Sequence, residues 1–94
     1  MSQVSQRDPQ SSVTLVITPG SLFPEDRERL RHRREGGHYL YELPAEGNLE
    51  ELLVRHEIRL RLPVSPIING RAADWQQTLK PGDEVKLLPQ IAGG

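Results

Sequence analysis

The sequence predicts an α+β domain in which a mixed sheet of four to five strands is covered by one main helix. Three observations predict it. Residues 13–18 (VTLVIT) and 83–88 (DEVKLL) are strand-like runs near opposite ends of the chain, the first dense in β-branched residues. Between them, Leu49, Leu52, Leu53 and His56 fall at i, i+3, i+4 and i+7, one face of a helix. Pro63 and Pro66 then exclude a helix through the next stretch, leaving Ile67-Ile68 as a short strand.

Each element has a local reason. The first strand ends at Pro19-Gly20, and residues 38–43 (HYLYEL) form a second strand closed by Pro44. These two strands can pair as a hairpin across a long, charged connection over residues 21–37. Asn48 is a good N-cap, with Glu51 three residues later as in a capping box. Glu50 and Glu51 suit the positive end of the helix dipole, and Arg55 and His56 the negative end. Asn69-Gly70 is a strong turn signal, so residues 71–73 can return as a short strand. Pro81-Gly82 makes another turn. In the final strand Val85 and Leu87 face the core, while Glu84 and Lys86 face water. This order is the β-grasp arrangement, with the last strand central beside the first. Residues 1–12, polar and without apolar periodicity, read as a disordered leader. Residues 13–89 form the domain and residues 90–94 a flexible tail.

Composition narrows the function classes. The 94 residues allow one modest core, and 12 basic against 13 acidic residues give a formal charge of −1. No global field draws such a chain to nucleic acid or membrane. There is no cysteine, hence no thiolate metal site and no cysteine nucleophile. No apolar run reaches the length of a membrane span and no signal-peptide pattern opens the chain, which reads as a cytoplasmic protein. His32, His38 and His56 lack metal-like spacing, so no metal site is expected. The stretch PEDRERLRHRRE interleaves five arginines with four acids and has no aromatic residue to stack on bases. It reads as solvent-facing loop or short helix. Gly36-Gly37 reads as a turn into the second strand, and Trp75 as a packing residue under the loop over residues 73–79.

The final residues carry the chemical signal. The sequence stops on LLPQIAGG, and a glycine at the last position carries the free α-carboxylate. With glycine at about 7% of residues, a terminal pair arises by chance in about 1 chain in 200. If Gly94 is the natural end, its carboxylate is a candidate reactive group.

Asn69-Gly70, then LKPGDEV over residues 79–85, then Leu87-Leu88-Pro89 and a terminal Gly93-Gly94 together resemble the MoaD/ThiS family of ubiquitin-like sulfur carriers. The spacing from Asn69 to the Gly-Asp-Glu-Val turn, and the proline ahead of the tail, are closest to the molybdopterin synthase small subunit. The IAGG ending is common among thiamine carriers. The resemblance implies that an E1-like enzyme adenylates the Gly94 carboxylate with ATP. A sulfur donor of the cysteine desulfurase or rhodanese type then displaces AMP, leaving a thiocarboxylate that serves a sulfur-accepting synthase large subunit. The chain would be a co-substrate, bind no cofactor of its own, and act in molybdenum-cofactor assembly. A thiamine-thiazole carrier and a ubiquitin-like modifier conjugated through Gly94 are the alternatives, with a plain β-grasp interaction module as a third. Gly93, lacking Cβ, would let the tail thread a narrow channel, with Gln90, Ile91 and Ala92 as its reach. Leu88, Pro89 and Ile91 are the expected partner-binding residues, because Leu88 should point away from the side that buries Val85 and Leu87.

Overall fold

Strand pairing follows the order β2-β3-β1-β6-β4-β5 in one six-stranded sheet, in a computed structural model that describes residues 11–90 of the protein. The strands are β1 (Ser12–Ile17), β2 (Arg33–Glu35), β3 (His38–Pro44), β4 (Val64–Ile68), β5 (Arg71–Ala72) and β6 (Glu84–Pro89). Two helices, α1 (Pro24–Arg27) and α2 (Leu49–Arg55), and a 3₁₀ turn (Pro19–Ser21) complete the described residues. This is the expected β-grasp class: β1 pairs antiparallel with β3 and parallel with β6, so β6 lies centrally.

The core follows from the period-2 alternation of the strands. Val13, Leu15 and Ile17 of β1 and Val85 and Leu87 of β6 are all fully buried, and Leu49 and Leu52 of α2 cover them. The α2 start is built as expected. Glu51 N–H donates to Asn48 Oδ1 at 2.8 Å, and Asn48 N–H donates to Glu51 Oε1 at 3.0 Å. His56 follows the helix as its C-cap rather than as its last buried rung.

Several expectations are corrected. There are six strands, not four to five, because the connection over residues 21–37 holds α1 and β2. Arg33, Arg34 and Glu35 are all exposed and pair with Leu40, Tyr39 and His38 across a turn at Gly36-Gly37. Both glycines have positive φ, 56° and 82°, which glycine adopts without strain. β1 begins at Ser12, one residue earlier than expected and inside the proposed leader over residues 1–12, of which residues 1–10 lie outside the described residues. β4 starts at Val64 and runs through Pro66. The Pro66 carbonyl accepts from Ala73 N–H at 3.1 Å, so its N–H-less nitrogen also faces the β5 side, where the sheet ends. No helix among the described residues is long and apolar enough to cross a membrane.

Candidate functional site

The end of β6 determines how the last residues leave the fold. Leu88 pairs with Ser65 and Pro89 with Val64 on β4. Gln90, expected as the first residue of the tail, instead extends this ladder. Its N–H donates to the Pro63 carbonyl at 3.1 Å, and its side-chain amide donates to Ser65 Oγ at 3.2 Å. The chain is therefore anchored through Gln90. Ile91, Ala92, Gly93 and Gly94 lie outside the described residues.

The other end of β6 is held by the turn residues of the chain itself. Asn69 and Gly70 both have positive φ, 52° and 82°, as a two-residue turn between β4 and β5 requires. Glu84 N–H donates to Asn69 Oδ1 at 2.9 Å, and Lys80 N–H donates to Asp83 Oδ2 at 2.8 Å. Thr14 N–H donates to the Asp83 carbonyl and Gly82 N–H to the Ser12 carbonyl, tying the turn to β1. Thus β6 is fixed at its start by side chains and along its length by two neighbouring strands.

The sheet face opposite α2 is the surface this strand presents. Leu88 is half-buried on it, as expected from the alternation with Val85 and Leu87, and Pro89 is exposed. Sequence reasoning missed the rest of the face. One register row crosses all six strands: Arg33, Leu40, Val16, Lys86, Ile67 and Ala72. Val16 and Leu40 are nearly covered yet lie outside the core cluster, and Ile67 is half-buried. The available signal was Val16 itself, an apolar residue out of phase with Val13, Leu15 and Ile17. The next row is acidic and polar, with Glu84, Thr14 and Glu42 side by side; Thr14 Oγ donates to Glu42 Oε2 at 3.1 Å.

Charged groups on the helix side brace the fold away from this face. Arg59 donates to both oxygens of the buried Asp26, at 3.1 and 3.4 Å. That bond holds the Asp26 carboxyl below its usual range and raises the Arg59 guanidinium. Arg29 donates to the His56 and Glu57 carbonyls, satisfying groups that the end of α2 leaves open. His32 stacks on Tyr39 at 4.4 Å between ring centroids, and burial pushes the Tyr41 hydroxyl up to about 12. Trp75 is partly buried against the core. Among the described residues no three His, Asp or Glu side chains group as metal ligands would.

No curated protein matches the chain. A solved structure, "Solution structure of the Haloferax volcanii HVO 2177 protein", aligns at 18% identity and a TM-score of 0.48, over 96% of this chain and 94% of that one. The ThiS family model matches residues 28–94, more than two thirds of the sequence, from the end of α1 through Gly93-Gly94. The chain belongs to the ThiS family, a family of small ubiquitin-like sulfur carriers.

Proposed function

We propose that the protein carries sulfur on the carboxylate of Gly94. An E1-like partner joins that carboxylate to the α-phosphate of ATP and releases pyrophosphate. The terminal sulfur of a persulfide-bearing donor then displaces AMP, forming the C–S bond of an acyl disulfide. A second partner thiol attacks the donor's own sulfur and breaks the S–S bond, leaving the thiocarboxylate on Gly94 and a disulfide on the partner side. The observation that carries this reading is the family match running through residue 94, downstream of a central strand anchored to Gln90. Glycine suits the role because the attacked carbonyl has no side chain beside it. The catalytic residues belong to the partners, and this chain supplies the reactive end and the surface that delivers it. The open sheet face around Leu88 and Ile67 is the docking surface for the adenylating partner, since it is the apolar face that leads into the tail.

We assign the acceptor to molybdopterin assembly. The proline at the end of β6 and the short span from Asn69 to Asp83 support that assignment. The Ile91-Ala92-Gly93-Gly94 ending favours the second reading, a thiazole-forming acceptor. Intact-mass analysis of the protein from its native cells tests the shared claim. A species heavier by exchange of one oxygen for sulfur is expected, and covalent adducts to other proteins without it would favour a modifier instead. Sulfur transfer to each purified acceptor then separates the two pathways.

A further inference from the structure

Lys86 stands where an apolar docking face would be expected to be continuous. It is exposed at the centre of the sheet, with Val16 as its register partner on β1 and Ile67 on β4. Among the described residues it forms no ion pair. The same-face carboxylate of its own strand, Glu84, is two residues away, or about 6.7 Å along the strand. Arg33, the other cation of the row, is already paired with Glu42 at 3.4 Å and Glu35 at 3.5 Å.

A partner that covers Leu88 and Ile67 must also cover Lys86, because the lysine lies in the row between Val16 and Ile67 and one step from Leu88. Removing an ammonium from water without a counter-charge is strongly unfavourable. We infer that the partner docking on this face presents a carboxylate to Lys86, set beside apolar contacts to Leu88 and Ile67. This rests on the docking-face reading above and adds the partner's chemistry to it. The order along β6 then fixes the approach. Moving away from the tail, the partner meets an apolar residue (Leu88), a cation (Lys86) and an anion (Glu84), so its own surface reads apolar, acidic, then basic or polar. A second copy of this chain does not fit, because a two-fold face-to-face pairing centred on this row brings the two Lys86 ammoniums together.

The test measures the affinity of the full chain for the E1-like adenylating enzyme of the same genome, at low and high salt, for Lys86→Met, Lys86→Arg and Leu88→Asp. Lys86→Met keeps a four-atom apolar stem and removes the ammonium. It is expected to weaken binding about tenfold at low salt, with the difference shrinking at high salt, and Lys86→Arg to retain most of the affinity. Unchanged or tighter binding by Lys86→Met, with Leu88→Asp still disruptive, would overturn the carboxylate pairing and leave the docking face standing. Neither Lys86→Met nor Leu88→Asp affecting binding would remove the face and the pairing together. Self-association of Lys86→Met at unchanged enzyme affinity would make the lysine a guard against self-pairing, and would also overturn the inference.

Discussion

Asn69 Nδ2 donates to Asp83 Oδ1 at 2.8 Å, joining two turns that are 14 residues apart in sequence. Through this bond the β4–β5 turn and the turn before β6 act as one clamp on the start of the central strand. Asp83 is nearly buried, at 9% exposure, so its carboxylate has little water to fall back on. Asp83→Ala strands Lys80 N–H and the Asn69 amide, and should cost about 1–3 kcal/mol in chemical denaturation. Asn69→Gly, which keeps the positive φ but loses both side-chain bonds, should destabilise less than Asn69→Ala, which also strains the turn. Equal stabilities for the two Asn69 variants would show that backbone strain plays no part.

Much of this fold was legible because it is local. Asn48 and Glu51 announce a capping box three residues apart, and Val85 with Leu87 alternate as a half-buried strand must. β2 was hidden because Arg33, Arg34 and Glu35 carry no apolar signal; their strand character comes from pairing with β3. Pro66 obscured the first half of β4, since a sequence does not show that its nitrogen faces the sheet's outer side. The open face was obscured for the opposite reason. VTLVIT is apolar on both phases, so Val16 could not be assigned to a second surface until Leu40, Lys86 and Ile67 were aligned beside it.

Stability should fall as pH drops through the titration of His56. Its Nε2 is buried without a hydrogen-bond partner, and burial is the largest cause lowering its pKa below the ordinary 6.5. The folded state therefore takes up the proton less readily than the unfolded chain. The contribution is fully present above pH 6.5 and is lost as pH falls from there through the lower folded value. Urea midpoints across this range should slope downward for the native chain, and His56→Leu should flatten that part of the slope. An undiminished slope in the variant would assign it to other groups.

Gly47→Ala should loosen the start of α2. Gly47 has φ of 71°, and an added Cβ would collide with Glu51 Oε1, the acceptor that completes the capping box. A loss of about 1–2 kcal/mol is expected from the cap and the backbone together. Because α2 packs on the face away from Leu88, affinity for the adenylating partner should be unchanged. Weakened binding by the folded variant would place part of the docking surface on the helix side.

Leu88→Asp should weaken that same binding while the fold melts nearly as before. Leu88 is half-buried on the open face and lies outside the core cluster, so its replacement opens no core cavity. A melting temperature that falls as steeply as for a core variant such as Leu87→Ala would mean that Leu88 is structural first.

The central claim, that Gly94 is the reactive end, is tested most directly by ATP–pyrophosphate exchange with the E1-like enzyme. Adenylation needs the carboxyl carbon beside the α-phosphate, and one residue of extended chain displaces it by about 3.3–3.6 Å. A misplacement of about 1 Å can already cost on the order of 100-fold in rate. Deleting Gly94, or adding one residue after it, should therefore abolish exchange while leaving thermal melting unchanged. Exchange by the extended chain at the rate of the original would contradict the account.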